Sequence, residues 1–267
     1  MPELPEVELT RRRLELELVG AAIARVEIRV PKLRLPIPSE LAEILPGRII
    51  RALERRGKYL MFDCNPGWLV IHLGMTGFLK YLPEPPAPGT YDHFGLIFEG
   101  GGELRFHDPR KFGTVLWITG NPAAHPHLAG IGPEPLTAAF DGAYLFTVSR
   151  SRQLAIKLLI MNAGIVAGVG NIYANEALFQ AGIRPDRPAD SLTLAECERL
   201  AAVVKEVLGE SIRLGSTYRV GEETVAYHPL EFNVYGRKKG NCLRCGGALE
   251  ESRLGNRSTV FCPVCQE

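Results

Sequence analysis

The amino-acid sequence predicts an α+β fold with two domains, and three observations lead to this prediction. The chain has 267 residues, enough for one large or two modest domains. Its first half consists mainly of short apolar segments separated by glycine and proline turns, a pattern typical of antiparallel sheets. Its second half contains longer segments with helical spacing, and four of the six cysteines lie in the last 26 residues.

Composition excludes two broad classes of protein. Apolar residues make up 46% of the chain, which is ordinary for a globular protein, and no stretch approaches the apolar length of a membrane span. The acidic, proline-rich start is unlike a signal peptide, which needs a basic start and an apolar run. We therefore expect a protein of the cytoplasm without a disulfide framework. Cys64 and Cys197 lie in apolar segments and are expected in the core.

The distribution of charge is more informative than the net charge of +1. Residues 48–58 contain five basic side chains and one acid, and residues 150–157 contain three basic side chains and no acid. Residues 237–239 read Arg-Lys-Lys. Such clusters are usually solvated faces, but several in one chain are compatible with a polyanionic partner.

The first predicted element is a helix over residues 3–18. Its apolar residues recur on one stripe while charged residues occupy the remaining surface. This stripe would attach the helix to a core and hold the residue before it in place. The stripe consists of Leu4, Val7, Leu14 and Leu18.

Pro2 lies just before this helix and is the first candidate for chemistry. If the initiator methionine is removed, the Pro2 nitrogen becomes a free secondary amine that can attack a carbonyl carbon and form an iminium ion. The usual α-amino pKa of about 7.7–8.0 leaves part of it unprotonated near neutral pH. Glu3 and Glu6 are three residues apart and therefore share one side of the helix. The same residues also fit an ordinary helix start, where proline and acids are common.

Seven short strands are predicted between residues 26 and 119. Glycine and proline turns separate them, and this spacing favours an antiparallel sandwich or barrel. Strands and helices do not alternate here, so no nucleotide-binding parallel sheet is expected. The predicted strands are residues 26–30, 48–55, 58–63, 68–73, 94–98, 103–107 and 114–119.

Three points in this half can carry chemistry, although each has a plain structural reading. Lys58 stands at a strand start, where an exposed lysine is ordinary. Met75 lies between glycines, where methionine commonly fills a gap. Residues 108–113, Asp-Pro-Arg-Lys-Phe-Gly, combine two cations with an aromatic residue in what is otherwise a polar turn.

The second half is predicted to contain a linker followed by helices. Glycine and proline at residues 132–135 mark the end of the β-rich part. Ser151 is a candidate N-cap of the first helix. Thr193 and Glu196 have the spacing of a capping box at the start of the third helix. The predicted helices are residues 151–163, 171–181 and 193–214.

A glycine-rich loop over residues 164–170 separates the first two of these helices. A dinucleotide fingerprint is rejected because no strand precedes the loop and Tyr173 occupies the third glycine position. A glycine-rich loop that leads into a helix can still hold a phosphate on its backbone N–H groups.

The last segment has the spacing of a structural zinc site. Two Cys-x-x-Cys pairs, Cys242 with Cys245 and Cys262 with Cys265, are separated by sixteen residues. Four thiolates complete a closed tetrahedral site for one Zn²⁺ ion. A pair of redox dithiols is not expected without a thioredoxin-like context. Residues 255–258 between the pairs are predicted to form a hairpin tip.

Taken together, these motifs resemble the formamidopyrimidine-DNA glycosylase family of base-excision repair enzymes. The Pro-Glu-Leu-Pro-Glu-Val-Glu start, the loop at residues 108–113, the Ala-Gly-Val-Gly-Asn-Ile-Tyr-Ala string at residues 167–174 and the four cysteines match its signatures. The likeness covers nearly the whole chain. It implies a bifunctional DNA glycosylase and abasic-site lyase that removes oxidised purines, 8-oxoguanine and formamidopyrimidines, followed by β,δ-elimination.

The resemblance also implies catalytic roles. Pro2 would attack C1′ of the damaged nucleotide and expel the base, Glu3 would shuttle protons and Glu6 would support the site. Lys58 would contact the phosphate of the target nucleotide and take part in catalysis. Arg257, on the zinc-finger hairpin, would hold the lesion phosphate and assist late in the reaction.

The implied DNA contacts divide into two groups. Met75, Arg110 and Phe112 would fill the void that the extruded base leaves, since an apolar wedge offsets unstacking and a cation can pair with the orphaned base. The remaining contacts are Lys157 and Asn171 for backbone phosphates, with His93 and Arg152 as further positions. Tyr91 stands where some relatives carry a DNA-contacting histidine and is left out.

The fold expected from the resemblance is an N-terminal antiparallel β-sandwich with flanking helices, followed by a helical helix–two-turns–helix domain with a zinc-finger β-hairpin. The predicted boundaries are residues 1–131 for the catalytic domain, 132–149 for a linker, 150–230 for the helical domain and 231–267 for the zinc finger. The expected partner of this monomer is duplex DNA with a damaged base or abasic site, in the bacterial cytoplasm and nucleoid.

Two alternatives remain open. The endonuclease VIII branch, which prefers oxidised pyrimidines, typically starts Pro-Glu-Gly-Pro-Glu, whereas Leu4 here favours the purine branch. A non-catalytic DNA-binding protein on the same scaffold is disfavoured because Pro2, Glu3 and Lys58 are retained. Residues 215–223 begin like the lesion-capping loop of the family and then depart from it, so the damaged-base preference is open.

Overall fold

The computed structural model describes residues 2–215 and 231–267. The described chain divides into two compact units, the first comprising residues 2–129 and Gly215 and the second comprising Gly130–Leu214 and residues 231–267. The segment at residues 216–223, where the resemblance to the lesion-capping loop weakens, lies outside the described residues. The predicted domain boundaries stay predictions.

The first unit is an antiparallel β-sandwich, as predicted. One sheet has the strand order β1-β6-β7-β5 and the other β2-β3-β4-β8. Apolar side chains of both sheets and of the first helix form one continuous core. The elements of this unit are helices α1 (Leu4–Leu18), α2 (Leu41–Ile44) and α3 (Pro126–Ala129) and strands β1 (Ile23–Ile28), β2 (Ala52–Arg56), β3 (Tyr59–Asp63), β4 (Gly67–His72), β5 (Phe78–Leu82), β6 (Asp92–Phe98), β7 (Glu103–His107) and β8 (Thr114–Thr119).

All seven predicted strands form, and the structure adds an eighth. Strand β5 pairs with β7 as the edge strand of its sheet. Only Leu79 of its five residues is buried, so the alternation of apolar and polar side chains that identifies a strand is weak here. The edge position therefore explains why periodicity did not predict it.

Helix α1 confirms the predicted apolar stripe. Leu4, Val7, Leu14 and Leu18 are at most 1% exposed and belong to the core of the first unit. Their burial anchors the helix along its length and so holds its first turn in place. Cys64 is also buried, as expected from its apolar surroundings.

The second unit combines helices with a C-terminal hairpin. Helices α5, α6 and α7 share an apolar core with α4, a helix within the predicted linker. Cys197 is buried in this core, as predicted. The elements are α4 (Gly142–Ser149), α5 (Ile156–Met161), α6 (Asn171–Gln180), α7 (Leu194–Leu214), β9 (Glu250–Leu254) and β10 (Arg257–Phe261).

The helix predicted over residues 151–163 is wrong at its start. Ser151 has a φ of +59° and does not cap a helix, which begins only at Ile156. The backbone before it pairs elsewhere, because the Arg152 carbonyl accepts a hydrogen bond from Asp190 and the Leu154 carbonyl accepts one from Ala189. This pairing with a distant segment holds the chain extended where local periodicity suggested a helix.

Helix α7 confirms the predicted capping box. The Thr193 hydroxyl accepts a hydrogen bond from the Glu196 N–H at 3.2 Å, and the Glu196 carboxylate accepts one from the Thr193 N–H at 2.8 Å. These two bonds satisfy donors that a helix start otherwise leaves unpaired.

Within the described part of the chain, no helix combines the length and apolarity needed to span a membrane.

A buried carboxylate attaches helix α6 to the segment that leads into the hairpin. One oxygen of Glu176 accepts hydrogen bonds from the backbone N–H and side-chain amide of Asn233, at 2.8 and 3.0 Å. The other accepts from the N–H groups of Val234 and Tyr235, at 2.9 and 2.8 Å. Glu176 is 2% exposed, so these four bonds replace its hydration.

We predict that Glu176→Gln destabilises the protein by about 1–3 kcal/mol, because the new amide N–H₂ would face backbone donors that then lack an acceptor. Thermal unfolding of the full chain measures the change. Glu206→Gln is the matched control, since Glu206 is exposed and lines the same cavity as Glu176. Equal melting temperatures for the two variants would contradict the assignment.

Candidate active site

The first turn of α1 brings Pro2, Glu3 and Glu6 together in a buried position. Glu3 is the N-cap residue and is 1% exposed, and Glu6 is 3% exposed. The Glu6 carboxylate accepts a hydrogen bond from the Glu3 N–H at 2.6 Å. Carboxylates are stabilised at the positive end of the helix dipole, which lies here. The arrangement places two carboxylates in the turn that directly follows the buried Pro2.

Lys58 lies in the two-residue turn between β2 and β3, after Gly57 with its φ of +54°. Arg55 braces this turn, since its Nη1 donates to the Gly57 carbonyl at 3.0 Å. Its Nε donates to the Glu8 carboxylate of α1 at 3.1 Å. Glu8 and Arg55 therefore connect the helix that carries Pro2 with the turn that carries Lys58.

The sequence did not single out Glu8 or Arg55 as residues that link helix α1 to the turn of Lys58. Burial raises the pKa of Glu8, but hydrogen bonds from Arg11, Arg12 and Arg55 together hold it below its ordinary value. Glu8 is therefore ionised at neutral pH. Its spacing from Arg11 and Arg12 resembles an ordinary surface pairing on a helix, and only the strand arginine shows its tertiary role.

His72 is a second residue that the sequence did not single out. Burial lowers its pKa to about 4, with further contributions from the positive charges of Lys58 and Arg34. The ring is neutral at physiological pH, and its Nδ1 accepts a hydrogen bond from the Gly74 N–H at 3.0 Å. His72 thus holds the start of the loop that carries Met75, close to the Lys58 charge.

The loops that carry Met75, Arg110 and Phe112 lie side by side in the first unit. Gly74 has a φ of +71°, and a Cβ atom placed there would lie 2.5 Å from backbone atoms of Phe112 and Gly113. The Arg110 guanidinium stacks on the Phe112 ring at 4.6 Å from its centroid. Phe112 is 40% exposed, so the structure presents a cation and an aromatic face on one exposed loop.

His93, a predicted DNA contact, is 2% exposed. Burial lowers its pKa, so the ring is neutral at physiological pH and its Nε2 donates to the Asp108 carbonyl at 3.0 Å. The ring supports the loop that carries Arg110. A direct contact of His93 with DNA stays a prediction.

In the second unit, Lys157 and Asn171 converge on the hairpin. Lys157 is 0% exposed, and its Nζ donates to the Ser258 carbonyl at 3.0 Å and to the Thr259 hydroxyl at 2.7 Å. The Asn171 amide donates to the same Ser258 carbonyl at 3.1 Å. Both residues therefore hold the strand that begins with Arg257. Their contacts with phosphate stay predictions.

The hairpin between β9 and β10 has the predicted tip. Gly255 and Asn256 have φ values of +53° and +59°, as a two-residue type I′ turn requires. Arg257 begins β10 opposite Leu254 and is exposed. Arg152 is exposed as well, in the segment before α5. Both cations are accessible to a polyanion.

The four C-terminal cysteines form the predicted structural zinc site. Their sulfur atoms all lie within 4.8 Å of one another, with 3.9 Å between Cys242 and Cys265 and 3.5 Å between Cys245 and Cys262. A tetrahedral ion with Zn–S distances of about 2.3 Å places its sulfurs roughly 3.8 Å apart. The cluster therefore fits Zn²⁺, which belongs to the fold and not to the chemistry.

The two Cys-x-x-Cys pairs have different electrostatic environments, and the first pair favours thiolates. Burial raises the pKa of Cys242, but hydrogen bonds from the backbone N–H groups of Cys245 and Arg244 outweigh it and lower the value to about 7. The Gly247 N–H donates to the Cys245 sulfur at 3.4 Å in the same way. Backbone donors of the first Cys-x-x-Cys turn thus stabilise negative charge on its sulfurs. In the second pair, burial and the neighbouring cysteine side chains raise the pKa of Cys262 and raise that of Cys265 to about 12.

Three family models match successive parts of the chain. The formamidopyrimidine-DNA glycosylase N-terminal domain matches residues 1–115, and the H2TH domain of the same family matches residues 131–220. A zinc finger found in FPG and IleRS matches residues 241–267. Together the matches cover both units and the hairpin.

Whole proteins of known identity agree with these matches. Formamidopyrimidine-DNA glycosylases from Geobacter metallireducens and Pelobacter propionicus are 70% and 67% identical to this chain, each over 100% of both chains. A Lactococcus lactis Fpg structure with N7-benzyl-Fapy-dG-containing DNA has a TM-score of 0.92 at 34% identity, again over both complete chains. A MutM structure with carbocyclic 8-oxo-G-containing DNA has a TM-score of 0.91 at 35% identity, over 100% of both chains. With a buried Pro-Glu start and a four-cysteine hairpin, this chain belongs to the formamidopyrimidine-DNA glycosylase family.

Proposed function

We propose that this protein removes oxidised purines from duplex DNA and then cleaves the strand at the resulting abasic site. The observation that carries the proposal is the buried first turn of α1, where Pro2 precedes the N-cap Glu3 and the bracing Glu6. The relatives of this chain support the substrate, since solved structures contain Fapy-dG or carbocyclic 8-oxo-G in DNA. The bacterial sources of the relatives support action in the bacterial cytoplasm, and we also propose that the protein acts as a monomer.

The chemistry begins at the Pro2 nitrogen once Met1 is removed. The amine attacks C1′ of the damaged nucleotide, and the bond from C1′ to the base breaks with its electron pair leaving on the base. Glu3 takes up the proton that the Pro2 nitrogen loses and donates it to the ring oxygen of the sugar as the ring opens and the iminium forms. Glu6 accepts the Glu3 N–H and thereby fixes the backbone beside the nucleophile.

The iminium then acts as an electron sink for cleavage of the strand. Loss of a proton from C2′ lets the 3′ phosphate leave by β-elimination, and a second proton loss lets the 5′ phosphate leave by δ-elimination. Lys58 holds the phosphate of the target nucleotide, supported by the Arg55 brace of its turn. Arg257 holds the lesion phosphate from the hairpin, and the zinc ion maintains the fold of that hairpin.

The void left by the extruded base is filled from the first unit. Met75 and Phe112 supply apolar surface, and Arg110 supplies donors for the unpaired base on the opposite strand. Arginine offers donors only, in a planar fork. Cytosine presents two neighbouring acceptors on its pairing edge, whereas adenine presents one acceptor beside an amino donor. Cytosine is therefore the preferred partner opposite the lesion.

The decisive experiment is borohydride trapping on duplexes that contain 8-oxoguanine or an oxidised pyrimidine. We expect faster excision of the purine and a trapped adduct that peptide mapping assigns to Pro2. Glu3→Gln should lose excision while binding to DNA stays nearly intact, and Glu17→Gln, exposed on the same helix, should behave as wild type. An adduct on Lys58 would refute the nucleophile, and faster excision of the pyrimidine would indicate the endonuclease VIII alternative.

Removal of zinc should abolish tight binding to DNA. We expect Cys245→Ser to lose the metal and most of its affinity for a lesion duplex, because metal binding and folding of the hairpin are coupled. Metal content and binding isotherms measure both effects. Cys197→Ala, in the core of the same unit, should retain the ion. Full affinity in a zinc-free sample would exclude the hairpin as a DNA contact.

Arg110→Ala should reduce excision overall and weaken selection of the base opposite the lesion. A good bidentate contact is worth about 1–3 kcal/mol, or roughly one to two orders of magnitude in the rate ratio. Single-turnover rates opposite cytosine and opposite adenine measure this ratio, which should fall towards one. Arg13→Ala, at an exposed position of α1, serves as the control. An unchanged ratio in Arg110→Ala would place the selection elsewhere.

A further inference from the structure

Asp108 is a fully buried side chain at the base of the loop that carries Arg110 and Phe112. Its exposure is 0%, and every polar group it has is paired within the first unit. Its N–H donates to the Tyr91 carbonyl at 2.9 Å, and its carbonyl accepts from the Lys111 N–H at 3.1 Å and from the His93 ring at 3.0 Å. Its backbone is therefore held on both sides.

The Asp108 carboxylate connects two loops. One oxygen accepts a hydrogen bond from the Gly113 N–H at 2.7 Å, which closes the loop of residues 108–113 on itself. The other accepts from the hydroxyl of Thr76 at 3.3 Å, and Thr76 follows Met75. A single buried side chain thus contacts the loop of Arg110 and the loop of Met75, which are more than thirty residues apart in sequence.

Backbone packing reinforces this connection. A Cβ atom at Gly113 would lie 2.9 Å from the His72 carbonyl and 2.4 Å from the Phe106 ring, and one at Gly74 would meet Phe112 and Gly113 backbone at 2.5 Å. The loops therefore touch without intervening side chains. A small rotation of either loop changes its distance from the other, since no flexible side chain absorbs the movement.

We propose that Asp108 is a positioning residue that sets Arg110 and Phe112 in register with Met75. The proposal rests on the void-filling function of these three residues proposed above. These functions require exact relative positions. The Arg110 guanidinium must meet two acceptors on the opposite base, while Met75 and Phe112 occupy the space that the extruded base leaves. A displacement of about 1 Å at such a site can reduce a rate by roughly 10²-fold.

Three substitutions separate positioning from stability. Asp108→Ala removes both carboxylate contacts and leaves the Gly113 N–H without its acceptor. Asp108→Asn retains them, because its amide oxygen can accept from Gly113 and its N–H₂ can donate to the Thr76 oxygen. Thr76→Val, which is similar in shape, removes only the bond between the loops. Thr119→Val, at an exposed position of β8, is the matched control.

The first measurement is the single-turnover excision rate opposite cytosine and opposite adenine. We expect the ratio to fall severalfold in Asp108→Ala and in Thr76→Val, and to remain near the wild-type value in Asp108→Asn and Thr119→Val. Loss of stability alone would reduce the active fraction equally on both duplexes and leave the ratio unchanged. If folded Asp108→Ala keeps the wild-type ratio of the two excision rates, Asp108 does not position Arg110 for selection of the opposite base.

The second measurement is hydrogen exchange over residues 73–77 and 108–113 in the DNA-free protein. Asp108→Ala and Thr76→Val should increase exchange in both loops together, while Asp108→Asn should not. This readout does not depend on the function of Arg110. A further outcome is that Arg110→Ala leaves the ratio of excision rates unchanged while hydrogen exchange rises in both loops of Thr76→Val. In that case Arg110 does not select the opposite base, but the link that Asp108 makes between the two loops is confirmed. Exchange confined to one loop would refute the connection itself.

Discussion

The start of helix α1, and with it the candidate active site, depends on the hydrogen bond from the Glu3 N–H to the buried Glu6 carboxylate. At 2.6 Å this bond closes the first turn of α1 immediately after Pro2, and the apolar stripe below it fixes the helix to the sandwich core. A terminal residue would otherwise fray, because chain ends lose little free energy by moving. The ordered position of Pro2 therefore follows from burial of the helix that begins just after it.

In both units, a buried charged side chain with hydrogen-bond partners fixes a short segment of the chain. In the first unit, Asp108 and the Glu8–Arg55 pair hold loops and a turn, and in the second unit Glu176 and Lys157 hold the segment and strand of the zinc hairpin. Buried charged groups with complete hydrogen bonding define one geometry, since any alternative leaves a charge unpaired in a medium of low dielectric constant. Arg110 and Arg257 therefore project from segments whose backbone is held in place.

The sequence predicted what is local or periodic. Seven strands, the stripe of α1, the capping box of Glu196 and the cysteine cluster each follow from patterns within a few residues or from a known ligand spacing. It did not predict the start of α5 or the tasks of Glu8, Asp108 and Glu176, because these depend on partners that the chain brings together only after folding. The proposed catalytic residues came from motif resemblance, which identifies residue types without showing how they are held.

The burial of Lys157 has a consequence for ionic strength. Its ammonium group is 0% exposed and bonded to the hairpin strand, so mobile ions do not reach it. Exposed cations such as Arg152 and Arg257 face solvent, and their attraction to phosphates weakens steeply as salt is added. Added salt therefore weakens the attraction of these two cations for a polyanion, while the buried hydrogen bonds of Lys157 continue to hold the hairpin strand.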